Sequence, residues 1–507
     1  MENRQSFGSK SGFIMAAIGS AIGLGNIWRF PAVAYENGGG AFFLPYLIAL
    51  LTAGIPILIL EFTLGHKYRG SAALTFGRLR KKTEWLGWWQ IAIAFVIATY
   101  YSVIIAWAGS FAYFSFGEKW GANPENFFMN DYLHKSATAG DLGGIVPGVF
   151  FPLLLVWIVT LGVLVKGVKK GIEKANKIMI PTLVVLFIII VVRSLTLDGA
   201  MDGLEALFKP DWSKIMSAKV WMAAYGQIFF SLSIGFAIMV TYSSYLPKKT
   251  DLTNSAFITG FANSGFELLA GFGVFAALGF MANQQGVPVN EVVSSGIGLA
   301  FIVFPKIISS FPALNGFFGF AFFGCLVLAG LTSLISIVET FVAGIQDKFN
   351  VSRAKAVLVG GGLAALISII YTTKSGLQFL DSADYFTNQF GISVAALVEI
   401  ILIAWVFREL KNLQKHADAI SDIKIGAWWR FSLTIITPIV LGYMMIQNII
   451  DNIKHNYSDY PTGFLMYAGW GVALFALVIG FIMMTFKWKS NELSTSTEES
   501  KYEEMAK

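Results

Sequence analysis

The residues whose types and spacing could do chemistry lie in two stretches that interrupt apolar runs. Near its start the chain reads Gly19-Ser20-Ala21-Ile22-Gly23-Leu24-Gly25-Asn26, and much later Ser231-Leu232-Ser233-Ile234-Gly235-Phe236. Glycine costs a helix up to about 1 kcal/mol relative to alanine, so both stretches are weak points. A helix that unwinds in hydrocarbon frees N–H and C=O groups that lipid cannot satisfy. Freed carbonyls, side-chain amides and hydroxyls are hard oxygen ligands, suited to a small hard cation. Freed N–H groups at the start of a half-helix suit a carboxylate. For one stretch alone, close helix packing through small residues is the competing explanation. A pair of them at corresponding places in two halves of the chain points to an inverted-repeat carrier.

Acidic side chains add to this. Glu61, Glu267, Glu339, Asp384 and Glu399 fall in or near apolar runs, where charge is costly and usually functional. Each has a plainer alternative as a structural hydrogen-bond partner. Glu61 is placed to accept from amides freed by the broken helices, and Glu339 and Glu399 receive no role. None of the four histidines sits deep in an apolar run, which argues against a histidine-built metal centre or proton relay. The single cysteine, Cys325, excludes an intramolecular disulfide.

The elements that must position these groups are membrane spans. Of 507 residues, 55% are hydrophobic and 13% charged, about half the charge of a soluble chain. Mean hydropathy is +0.64. A window of about 20 residues, the length that crosses ~30 Å of hydrocarbon, finds twelve spans at 12–36, 41–65, 88–116, 144–166, 177–196, 219–246, 254–281, 316–345, 354–372, 377–407, 428–449 and 463–487. Polar Met1–Lys10 and the length of the first run exclude a cleaved signal peptide. Basic residues crowd the loops after even-numbered spans, among them Lys67, Arg69, Lys169, Lys170, Lys248 and Arg353. The positive-inside rule then places both termini in the cytoplasm. That placement accounts for the net charge of +6 without a nucleic-acid partner. The expected organisation is a cytoplasmic segment 1–11, a first repeat 12–196, an extracellular loop 197–218, a second repeat 219–407, two further helices within 408–487, and a disordered cytoplasmic tail 488–507.

Several motifs in order carry a family resemblance. Gly23-Leu24-Gly25-Asn26-Ile27-Trp28-Arg29-Phe30-Pro31, followed by Glu36-Asn37-Gly38-Gly39-Gly40-Ala41-Phe42, resembles the signature of the neurotransmitter:sodium symporter family. Gln227-Ile228-Phe229-Phe230-Ser231-Leu232-Ser233 and Ala329-Gly330-Leu331-Thr332-Ser333 resemble its span 6 and span 8 motifs. The resemblance runs from about Arg4 to the twelfth span. It implies an all-α polytopic membrane protein of the leucine-transporter-like fold, twelve helices in a 5+5 inverted repeat with helices 1 and 6 broken. It implies a protein of the bacterial amino-acid branch, in a cell (inner) membrane, that is no enzyme. The implied activity is sodium-coupled import of a neutral, hydrophobic or aromatic L-amino acid by alternating access. Sodium ions, two of them, are the implied cofactors, with no organic cofactor, and a homodimer is compatible.

The resemblance also implies residue roles. One sodium site would use Ala21, Asn26, Ser231 and Asn263, with the substrate carboxylate. A second would use the carbonyls of Gly19, Ile22 and Ala329 and the hydroxyls of Thr332 and Ser333, although those hydroxyls could equally bond back to their own helix. The substrate carboxylate would meet Leu24, Gly25 and Tyr101, and its ammonium the carbonyls near Ala21, Phe230 and Ser233. Ile97, Phe230, Phe236, Ser333 and Ile337 would form the side-chain wall. Monoamine-carrying relatives have aspartate where this chain has Gly23, so the substrate should bring its own carboxylate. Chloride-dependent relatives have serine where this chain has Glu267, so transport should be chloride-independent.

Arg29 and Asp384 are implied as an outer gate, with Tyr101 and Phe236 as a lid. Arg4 and Asp347, supported by Tyr245, are implied as an inner gate, or are ordinary interfacial ion pairs. Gly171 and Pro181 either let span 5 unwind toward the second sodium site or simply kink it. A channel would need an uninterrupted polar pore, and a membrane enzyme a clustered nucleophile–base or metal set. A non-transporting amino-acid sensor would share every binding residue, and flux alone separates it.

Overall fold

The computed structural model describes residues 5–489. Ten helices in it are long and apolar enough to cross a membrane: Gly40–Tyr68, Lys81–Gly117, Pro147–Val165, Val168–Leu195, Leu252–Gln285, Asn315–Phe349, Arg353–Thr372, Gly376–Val406, Ala427–Asp459 and Thr462–Thr485. They are spans 2–5 and 7–12. The missing two are the interrupted ones. Span 1 is divided into Lys10–Ala21, Leu24–Trp28 and Phe30–Glu36, and span 6 into Ala218–Ser231 and Ile238–Ser243. The chain has the leucine-transporter-like architecture, in which spans 1–5 and 6–10 form inverted repeats and spans 11 and 12 follow.

The breaks have local causes. After Ala21 the backbone turns extended, with Ile22 at φ −73°, ψ 97° and Gly23 at φ −119°, ψ −168°. Between the halves of span 6, Ser233, Gly235 and Ala237 have φ of 54°, 79° and 64°. Positive φ is uncommon for serine and alanine, and it persists only where surrounding contacts impose it. Gly235 also approaches span 10 closely, since a Cβ there would lie 3.2 Å from that of Ala396.

Burial divides the spans. The most apolar windows of spans 3, 7 and 8 are 89%, 78% and 83% buried, against 28% for spans 11 and 12. Spans 7 and 8 pack against the broken helices, and span 3 packs chiefly on spans 8 and 12. Spans 4, 5, 9, 11 and 12 leave apolar side chains such as Phe151, Leu155, Val185, Leu366 and Phe475 exposed, as a lipid-facing surface requires.

Several expected boundaries shift. The segment 197–218 is not only a loop, because it contains the helix Ala200–Phe208. That helix lies so close to span 7 that a Cβ on Gly203 would sit 1.8 Å from the Phe275 carbonyl oxygen. The expected N-terminal segment 1–11 already holds buried Phe7 and the start of span 1 at Lys10. The expected tail begins with a docked residue, as Trp488 Nε1 donates to Glu84 Oε2 at 2.9 Å. The rest of the tail, 490–507, and residues 1–4 lie outside the described residues.

Candidate functional site

Both breaks open onto one cavity of about 460 Å³. All ten residues expected to contact substrate line it: Ala21, Leu24, Gly25, Ile97, Tyr101, Phe230, Ser233, Phe236, Ser333 and Ile337. Leu24 and Gly25 begin the second piece of span 1, so their N–H groups have no partner from a preceding helical turn. Tyr101 oxygen lies 3.3 Å from Leu24 N. A Cβ on Gly25 would come within 2.2 Å of the Phe230 ring, so glycine is what lets the backbone approach that ring. At one end the cavity is rimmed by Arg29, Asp381, Asp384, Tyr385 and Tyr457.

Two clusters of oxygen atoms flank the break in span 1. In the first, Asn26 Nδ2 donates to Asn263 Oδ1 at 2.8 Å, and Asn263 Nδ2 to Ser231 Oγ at 3.0 Å. Asn26 Oδ1 accepts from Gly23 N–H at 2.9 Å. These three side chains are at most 2% exposed. In the second, Ser333 Oγ lies 3.4 Å from the Gly19 carbonyl oxygen and 3.5 Å from that of Ile22. Thr332 Oγ1 bonds back to its own helix, to Leu328 O at 3.1 Å and Ala329 O at 3.0 Å. Serine 333 thus reaches across to span 1 while Thr332 turns inward on span 8. Every ligand type is a neutral oxygen, which fits a monovalent hard cation.

Glu267 is fully buried beside the first cluster. Gln227 Nε2 donates to its Oε1 at 2.6 Å, and the Tyr46 hydroxyl donates to its Oε2. Glu61 Oε1 accepts from Gly235 N–H at 2.8 Å, which satisfies one amide freed by the span 6 break.

The gate residues are placed as follows. Arg29 and Asp384 both line the cavity, and no ion pair joins them. The guanidinium of Arg29 sits 4.7 Å over the Phe230 ring, and Asp384 Oδ1 accepts from Asn388 Nδ2 at 2.8 Å. At the opposite end, Asp347 Oδ2 accepts from Ser71 N–H at 2.7 Å, and the Tyr245 hydroxyl donates to Glu339 Oε1 at 2.8 Å. Arg4 lies outside the described residues. Span 5 is wound at both of its marked residues: Gly171 lies in the π-helical turn Val168–Glu173, and Pro181 in Lys174–Leu195.

Some groups were not legible as sites. Glu339 forms a two-armed ion pair with Arg353, at 3.0 and 2.6 Å. Buried His66 meets His416 with 2.9 Å between ring nitrogens, although neither lies deep in an apolar run. Tyr46 had no charge or motif to mark it as a partner of Glu267, and Gln227 opened the span 6 motif with no role of its own. Asn176 of span 5 aims Oδ1 at Gly19, where a Cβ would lie 2.2 Å away.

Comparison with known proteins gives consistent relatives. The family described as the sodium:neurotransmitter symporter family matches residues 4–123 and 118–491. An uncharacterized sodium-dependent transporter of Methanocaldococcus jannaschii is 43% identical over 484 residues, 96% of this chain and 98% of that protein. The human sodium- and chloride-dependent neutral and basic amino acid transporter B(0+) is 29% identical, across 96% of this chain and 84% of its own. Among solved structures, MhsT in complex with L-phenylalanine matches with a TM-score of 0.74 and 32% identity, covering 88% of this chain and 99% of that one.

Proposed function

This chain belongs to the sodium:neurotransmitter symporter family, and on that premise we propose that it imports a neutral L-amino acid with an apolar or aromatic side chain. It is a sodium-dependent, multi-pass membrane transporter and not an enzyme. The observation that carries the substrate reading is the cavity itself, in which the Leu24 and Gly25 amides and Tyr101 stand beside an apolar wall of Ile97, Phe230, Phe236 and Ile337. A zwitterion would place its carboxylate on the amides and its side chain on that wall. Gly23 leaves the span 1 break without a fixed acid for a substrate lacking its own carboxylate, and the acids of the cavity, Asp381 and Asp384, stand with Arg29 among its lining. The L-phenylalanine held by MhsT, whose fold matches, supports the same class.

Coupling follows from the shared contact. Asn26, Asn263, Ser231 and the Ala21 carbonyl would hold one sodium ion next to the substrate carboxylate. Gly19, Ile22, Ala329, Thr332 and Ser333 would hold a second, once Thr332 turns its oxygen lone pairs outward. Sodium and substrate that bind the same conformation each raise the other's affinity. Arg29 and Asp384 would close over a loaded site from either side of the cavity rim. Arg4 and Asp347 would close the other end, with span 5 unwinding at Gly171 and Pro181 as the ion leaves. Both termini would face the cytoplasm of the cell. Glu267 would supply the negative charge that chloride provides elsewhere, making transport chloride-independent. The test is uptake of labelled L-phenylalanine into proteoliposomes with and without an inward sodium gradient, repeated with Asn26→Ala.

A further inference from the structure

Span 5 carries a buried polar side chain that has no part in the account so far. Asn176 is fully buried, and its Nδ2 donates back to the Ile172 carbonyl at 2.9 Å. Its Oδ1 is buried with no hydrogen-bond partner among the described residues. That oxygen is aimed at Gly19 of span 1, where a Cβ would lie 2.2 Å from it. Gly19 sits in the wound piece Lys10–Ala21, whose interior N–H groups are spent on their own helix. Gly19 therefore offers Oδ1 only a Cα–H, which is a weak donor. The same glycine belongs to the second oxygen cluster, its carbonyl oxygen 3.4 Å from Ser333 Oγ. On a helix the Cα–Cβ direction tilts toward the N-terminus, while carbonyls point toward the C-terminus. Asn176 Oδ1 thus meets Gly19 from the N-terminal side, and the carbonyl oxygen of the cluster lies on the other. Three residues earlier, on the same face of span 5, Glu173 fits against Gly12, where a Cβ would lie 2.2 Å from its Oε1. Glu173 accepts from Gly8 N–H at 2.6 Å, Ser9 Oγ at 2.9 Å and Lys177 Nζ at 2.7 Å.

The seam between spans 1 and 5 therefore presents, in order toward the N-terminus, the Gly19 carbonyl, the Asn176 amide oxygen and the Glu173 carboxylate. A buried oxygen without a donor is costly to keep, and a cation is what it can still bind. We propose that Asn176 is a sodium-binding residue, whose Oδ1 takes the second ion from the Gly19 carbonyl as the ion leaves for the cytoplasm. The inference rests on the second sodium site read above. A neutral amide oxygen suits a hard monovalent cation, and it holds the ion loosely enough to let it go on. Glu173, closed off by Gly8, Ser9 and Lys177, sets a negative charge at the far end of the row. Asn176 lies between Gly171 and Pro181, so unwinding that stretch loosens its bond to Ile172 and lets Oδ1 follow the ion.

The test is binding and release of radioactive sodium by the full chain in lipid nanodiscs, which needs no knowledge of the substrate. Equilibrium binding is measured first, then release into excess potassium, for wild type, Asn176→Ala, Asn176→Leu, Asn176→Asp and Ser333→Ala. Asn176→Ala and Asn176→Leu remove the oxygen and should slow release of the second ion about tenfold, with equilibrium half-saturation unchanged. Asn176→Asp loses the bond to Ile172 but keeps an oxygen in place, and should release sodium as fast as wild type. Slowing by Asp as large as by Ala would make the Ile172 bond the cause and overturn the proposal. Slowing by Leu alone would be added bulk blocking the path, and would overturn it too. Faster release with weaker equilibrium binding in Asn176→Ala would make the residue a ligand of the resting ion and overturn its part in release. Ser333→Ala should weaken equilibrium binding. If it does not, the second site itself is misread and this inference falls with it. If it does while both oxygen-free variants release at the wild-type rate, the role of Asn176 alone is refuted.

Discussion

Asn26 and Asn263 are 237 residues apart in sequence, yet the amide of the first donates to the oxygen of the second at 2.8 Å. This bond ties the break of span 1 to span 7, and both side chains are buried. A sodium ion seated there would draw on both amide oxygens. Asn26→Ala and Asn263→Ala should each cut sodium-dependent uptake at least tenfold, about 1.4 kcal/mol of lost ion binding. The check is the sodium dependence of uptake for each variant. A variant with unchanged half-saturation for sodium would remove that residue from the ion site.

Glu267 should decide the anion requirement. Its carboxylate fills the space between Tyr46 and Gln227, and replacing it with serine opens that space and removes its charge. Glu267→Ser should make uptake depend on external chloride, with replacement of chloride by gluconate abolishing it. Uptake by the variant that ignores chloride would disprove the assignment.

The ion pair of Arg353 with Glu339 should matter more for stability than for transport. Both side chains are at most 9% exposed. Removing one partner of a buried pair costs about 3–5 kcal/mol, whereas replacing both by apolar groups is often nearly neutral. Arg353→Met should therefore lower the thermal unfolding midpoint markedly, and Arg353→Met with Glu339→Met should recover most of the loss. Equal midpoints for the single variant and wild type would show that the pair contributes little.

A histidine outside the spans sets an acid limit. His416 lies on the helix Leu410–Ile420, and burial of its ring, with Lys67 and Arg69 nearby, holds its pKa down at about 4. An unfolded histidine binds a proton near 6.5. Between those values the unfolded chain takes up more protons, so stability is present above about pH 6.5 and is lost as the pH falls toward 4. The unfolding midpoint should drop between about pH 7 and pH 5, and His416→Gln should drop less.

The sequence carried the spans and both breaks plainly, because apolar length and clustered glycines are local signals. The family resemblance, not spacing, pointed to the cavity: Leu24, Tyr101, Phe236 and Ser333 come from four spans and line one space. What stayed hidden was pairwise geometry. Nothing near Glu339 announces Arg353, which lies across a turn in the next span. His66 and His416 are 350 positions apart in the sequence, and neither has a neighbour that marks it. The helix Ala200–Phe208 looked like loop because it is too short to read as a span, and its fit against span 7 depends on small residues at Gly203 and Gly279.

The most direct measurement of the central claim is uptake of a panel of labelled amino acids into proteoliposomes, with an inward sodium gradient or with potassium alone. The account predicts sodium-dependent accumulation of L-phenylalanine or another apolar L-amino acid, lost in Asn26→Ala. Sodium-dependent binding without accumulation would contradict transport and make the protein a sensor, and no binding of any amino acid would contradict the reading of the cavity.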